Sequence, residues 1–114
     1  MTPAQALASH RKFINAIGEQ VFVRRYSGVG HLRTPVDTAA QARVMGFTPK
    51  ELVGSIVQGD RKVIMLVDTL GAVLPITTFD QLVIRGREVS IKSVDDNTRR
   101  IAGVLIALEI HAAG

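Results

Sequence analysis

The residues of this chain whose types could do chemistry are few. They are Asp95-Asp96, the histidines His10, His31 and His111, the glycines of Gly28-Val29-Gly30, and the charged turn Gln58-Gly59-Asp60-Arg61-Lys62. Adjacent carboxylates can act as acid and base when a pocket drives their pKa values apart. Here they stand in "DDNT", the composition of a tight turn in which Asp and Asn bond their own backbone, and turn chemistry is the reading adopted. None of the histidines has an H-x-x-H or H-E-x-x-H spacing, so surface or strand-end positions are expected rather than a metal ligand set. Gly28-Val29-Gly30 lacks the rest of a phosphate-binding fingerprint and opens no clear helix. There is no cysteine and no G-x-S-x-G, hence no recognisable nucleophile. The expectation is a protein without catalytic residues, cofactor or metal.

The charged turn has a structural reading. Gly59 permits the sharp bend, Asp60 accepts backbone N–H bonds, and Arg61 is expected to pair with an acid such as Asp60 or Asp95. The polar residues end the loop and fix where pairing of the apolar run Val63–Val67 begins, so its register cannot slip.

The elements that hold these residues follow from the period of the sequence. Thr2 as cap, Pro3 in the first turn, and Leu7, Ile14 and Ile17 at helical spacing predict an amphipathic helix over 3–17, ended by Gly18 in a left-handed cap. "EQVFVRRYS" (19–27) alternates as a strand. "GVGHLRTP" (28–35) is a loop, and 36–47 is ambiguous, with strand favoured over helix. "TPKELVG" reads as one short helix capped by Thr48, with Glu51 completing the box and Gly54 ending it. Residues 63–67 form a central strand and 68–80 a loop. Residues 81–91 form a hairpin around Arg85-Gly86. "KSVDDNTRR" is a turn, and "IAGVLIALEIHA" a closing strand with helix as the alternative. Five or six short antiparallel strands with turns about every ten residues make a small, mainly β barrel or sandwich, with the N-terminal helix over an open end or edge.

Length and charge narrow the class. At 114 residues the chain is expected to be one domain, able to bury roughly two-thirds of the surface it exposes when unfolded. The longest apolar run, Ile101–Leu108, is far short of the ~20 residues of a membrane-spanning helix, and "MTPAQALASHRKF" does not read as a signal peptide. The net charge is +4, with seven Lys/Arg against three Asp/Glu in residues 1–54 and seven against seven in the remainder. A basic half is either a phosphate-facing surface or a solvated face. The five aromatic residues are scattered, which argues against a single-strand stacking platform.

The order "PKELVGSIVQGDRKVI", then "DQLVIRGREVSIKSV", then "VDDNTRRIAG" and a closing apolar strand resembles the head–tail joining (head-closure or stopper) proteins of long-tailed bacteriophages, prophages and gene transfer agents. The similarity covers roughly residues 19–111 and is sharpest at Gln58–Arg61, Asp80–Glu88 and Val94–Gly103. The resemblance implies a β-barrel of the virion neck, made in the host bacterial cytoplasm. It would assemble as a ring of six or twelve copies beneath the portal and its adaptor, holding packaged double-stranded DNA in the head and docking the tail tube or tail terminator. Such proteins have no catalytic residues to carry over, and their working parts are loops. Residues 28–35 and 71–79 are the candidate projecting loops. Leu74, Pro75, Ile76 and Phe79 are the candidate contacts with a neighbour, and the apolar ones either bury against another subunit or fold back over the barrel mouth. Arg24, Arg25, His31 and Arg33 face either DNA or acids on an adjacent subunit. The Ala-rich segment 37–42 stands where a long channel loop is expected. The alternatives are a tail terminator or other neck component and, in a different class, a basic nucleic-acid-binding barrel.

Overall fold

Thr2 and Gln5 start the first element. The Thr2 hydroxyl accepts from the Gln5 N–H and the Gln5 side chain accepts from the Thr2 N–H, a reciprocal capping box on helix α1 (Pro3–Ile17). The computed structural model describes residues 1–47, 49–51, 54 and 56–114. The expected cap at Thr48 lies outside them, and a single 3-10 turn spans Pro49–Glu51.

Six strands close a barrel: β1 (Glu19–Ser27), β2 (Thr34–Gly46), β3 (Arg61–Leu66), β4 (Gln81–Ile84), β5 (Arg87–Asp95) and β8 (Ala107–Ala112). Their order is β1-β2-β3-β8-β5-β4, with every neighbouring pair antiparallel. The mainly β barrel with an N-terminal helix expected from the sequence is therefore present. Two-residue strands β6 (Arg100–Ile101) and β7 (Val104–Leu105) make a separate small hairpin. Both tight hairpins turn through a left-handed pair, Arg85-Gly86 with φ 51° and 78° and Ala102-Gly103 with φ 51° and 81°. This geometry matches the twist of the flanking strands.

Strand β3 explains why so apolar a run follows so charged a turn. Val63 and Met65 point into the barrel core with Val21, Leu82, Leu108 and Ile110, while Ile64 and Leu66 point outward into a second cluster with Ile14 and Ala107. A strand with water on one side alternates; this one has the barrel interior on one face and α1 on the other, so its residues read as continuously apolar. Each buried Leu or Ile contributes about 2 kcal/mol of transfer free energy.

Several details differ from the sequence reading: the closing segment is divided between the β6–β7 hairpin and β8, and α1 packs on the outer face of the β3–β8 wall rather than over an open end or edge. Gly18 is extended (φ −90°, ψ −172°), not left-handed. Glycine is needed there for space, because a Cβ would lie 2.3 Å from the Ile14 carbonyl oxygen and 2.6 Å from that of Ala42. Phe13 and Ile17 are exposed and the buried helix residues are Ala6 and Ile14, so the helix meets the sheet through a narrower stripe than its apolar pattern implies. Residues 92–95 continue β5 past a bulge between Ile91 and Ser93, confining the turn to 96–99. Residues 37–42 lie wholly within β2, so the expected channel loop is strand.

Candidate interaction surfaces

The β1–β2 hairpin outreaches the barrel that carries it. Its pairing runs from Glu19↔Ala42 to Ser27↔Thr34, but β4 joins β1 only at Phe22–Arg24 and β3 joins β2 only at Ala42–Gly46. Beyond those points the hairpin is a two-stranded arm ending in a 3-10 turn at Gly30–Leu32. The loop is thus 28–33, shorter than the expected 28–35, because Thr34 and Pro35 already pair in β2. Val29, Leu32 and Val36 are exposed on the arm, Val29 at 77%.

The four basic candidates divide. Arg24 pairs with Asp37 directly across the hairpin (Nε–Oδ1 2.8 Å) and approaches Glu88 at 3.8 Å. Its hydrogen bond to Asp37 outweighs desolvation and raises the guanidinium pKa further, while the same bond lowers that of Asp37. Arg25 reaches Asp80 (2.8 Å) and donates to the carbonyls of Val73 (2.8 Å) and Pro75 (3.2 Å). Arg33 lies over the Tyr26 ring at 4.3 Å, and the Tyr26 hydroxyl donates to Glu88. His31 is exposed on the arm tip. Within the chain, Arg24 and Arg25 already have acidic partners, Asp37 and Asp80.

Arg25 also fixes the 71–80 segment. Asp80, only 2% exposed, takes the Arg25 fork and the Thr77 N–H. Burial would raise its pKa, but these bonds prevail and lower it. Of the alternatives for the apolar residues here, folding back is the course taken by Ile76, which is buried in the barrel core, and by Leu74, which packs against it. Leu74, Pro75 and Ile76 line a cavity of about 250 Å³ with Val94, Leu105 and Leu108, rimmed by Asp96 and Arg100. Phe79 is 91% exposed.

Asp60 is the polar centre that sequence reasoning placed only in part. It is 4% exposed, accepts the Val57 N–H as expected, and holds Lys92 Nζ and His111 Nε2, each at 2.7 Å. Burial opposes its charge, yet the bonds from Lys92, His111 and Val57 dominate and hold its pKa far below the usual carboxylate range. The expected partner was Arg61; Asp60, which precedes β3, instead meets Lys92 of β5 and His111 of β8, while Arg61 lines the barrel mouth. Lys92 and His111 are far away in sequence, which is why no local motif marked them. His111 also meets the Phe47 ring edge-on at 5.1 Å.

The remaining candidates are structural. Asp95 accepts from the N–H groups of Asn97 and Thr98 and from the Thr98 hydroxyl, whose bond chiefly lowers its pKa. This is the turn chemistry expected of "DDNT". His10 Nδ1 lies 2.9 Å from the Ala6 carbonyl and Nε2 3.0 Å from Arg99; both bonds form when Nδ1 carries the proton and Nε2 accepts. Arg99 pairs in turn with Glu109 at 2.9 Å, tying α1 to β8. Among the described residues no group of three or more His, Asp or Glu could hold a metal ion, and no helix is long and apolar enough to cross a membrane. No protein-family model matches the chain, and no curated protein matches it significantly.

Proposed function

We propose that this chain is a structural component of a bacteriophage head–tail connector, performing no reaction. It would act as a homo-oligomeric ring below the portal and adaptor, closing the DNA-filled head and receiving the tail. The family reading rests on the ordered segments 58–61, 80–88 and 94–103. The single observation that carries the mechanical reading is the arm, a braced hairpin that leaves the barrel and exposes Val29, Leu32 and Val36. Apolar residues held out on a rigid scaffold are better suited to burial against another protein than to a free surface. A ring needs a heterologous contact, one patch of each subunit meeting a different patch of the next, and an arm reaching past its own barrel supplies such a patch.

The ionisable groups support a scaffold as well. Arg24, Arg25, Asp37, Asp60 and Asp80 are engaged in ion pairs that fasten strands and loops together. The nucleic-acid-binding alternative loses its leading candidates in Arg24 and Arg25, whose charge is neutralised within the chain.

Electron microscopy decides the assignment in two steps. The purified chain is expected to form closed rings that disappear when Val29, Leu32 and Val36 are changed together to serine. In the intact particle its density is expected between portal and tail tube. Density at the tail end of the neck would favour a terminator; density in the shell or baseplate would end the reading.

A further inference from the structure

The arm accounts for one end of the barrel; the other end carries a different chemistry. The start of β3, the β4–β5 turn and the end of β2 meet there around a cavity of about 290 Å³, whose lining includes the half-buried Val44, Met45 and Phe47 together with Arg61 and Arg85. Among the described residues Arg61 makes no side-chain hydrogen bond or ion pair. Arg85 gives one nitrogen, Nη2, to Glu19 at 2.6 Å, and its side chain remains 65% exposed. Among the described lining residues the only acid is Asp60, which is buried and already engaged by Lys92 and His111. The cavity therefore combines unspent positive charge with an apolar wall.

We infer that this mouth is a docking seat for a carboxylate-bearing segment of a partner protein, an acidic side chain flanked by apolar neighbours. A guanidinium presents a planar fork that matches a carboxylate, and such charge-assisted pairs are the stronger hydrogen bonds of an interface. Arginine beside aromatic and methionine surface is also the composition of protein contacts, in which lysine is scarce. A nucleic-acid backbone fits less well. Its phosphates stand on a convex ridge and are read by rows of exposed cations, which would leave Val44, Met45 and Phe47 uncovered. The inference does not depend on the connector reading: the cavity, its charge and its wall are the same wherever the protein acts.

The test is an amide-shift titration of the full chain with a short acetylated peptide of alternating leucine and glutamate, alongside its glutamine counterpart and a short DNA duplex. Saturable shifts confined to 44–47, 58–61 and 85 are expected with the glutamate peptide and absent with glutamine. Arg61→Gln and Arg85→Gln should each weaken binding roughly tenfold, the loss of about one charge-assisted bond. Amide dispersion checks that each variant is folded, and either one alone suffices. No saturable shift, equal binding of the glutamine peptide, undiminished binding by a folded variant, or tighter binding of the duplex at these residues would each overturn the inference.

Discussion

Asp60 accepts three donors from three parts of the chain, the Val57 N–H, Lys92 and His111, and its loss should be felt as stability. Asp60→Asn is expected to cost about 2 kcal/mol in urea unfolding near neutral pH, the scale for breaking a buried, charge-assisted cluster. The pH dependence follows from the depressed folded-state pKa. Unfolded Asp titrates near 3.9, so the stabilisation is fully present above about pH 4 and disappears as pH falls through the lower folded value. The difference between wild type and Asp60→Asn should therefore be largest near neutrality and shrink towards about pH 2. Gly18 makes a second residue-scale prediction. Gly18→Ala is expected to destabilise by about 2 kcal/mol although the backbone is extended, because the methyl group meets two carbonyl oxygens that belong to α1 and β2. A neutral or stabilising result in thermal unfolding would contradict the close approach.

At the scale of elements, the 71–80 segment depends on β1. Arg25→Ala removes the fork on Asp80 and the donor to the Val73 and Pro75 carbonyls, leaving a buried carboxylate short of partners. The expected outcome is faster amide exchange through 71–80, with α1 unchanged, and a global cost of about 2 kcal/mol. Unchanged exchange at Thr77 and Asp80 would show that the loop holds itself. The arm has its own safeguard. The Thr69 hydroxyl donates to the Ala39 carbonyl (2.8 Å), so the odd-numbered β2 residues turn their peptide groups away from β1. Pro35 falls on that free edge, where its missing N–H leaves no donor to recruit another strand.

Much of this was legible in the chain. The Thr2 cap, the β1 alternation, the Arg85-Gly86 turn and the Asp95 turn are local, and local chemistry is written in consecutive residues. What could not be read was long-range. The ambiguity over 36–47 reflects a strand whose inward residues Ala40 and Ala42 are small because they face a crowded interior, which looks helical in composition. Arg24 and Arg25 were assigned to DNA or to acids of an adjacent subunit because their intrachain partners, Asp37 and Asp80, lie across a hairpin and in a distant loop. Arg61 and Arg85 were read as turn residues, Arg61 as the partner of Asp60 or Asp95, because their meeting at one cavity joins segments distant in the chain.

For the whole molecule, two hydrophobic clusters share the β3–β8 wall, and the helix is part of the core. Ile14→Asp should undock α1, expose Ile64, Leu66 and Ala107, and cost about 4 kcal/mol, with self-association visible in light scattering. A soluble monomer of unchanged stability would mean that the barrel stands without its helix.

The position of β8 reaches into how the protein is made. Strand β8 is the keystone between β3 and β5, so the wall stays open until residues 107–112 have been made and can pair. Until then the nascent chain carries two unzipped strand margins, and neighbouring nascent chains on one message are exposed to each other. Closure is consequently a late event in folding, because the wall is complete only when β8 has met partners far from it in the chain.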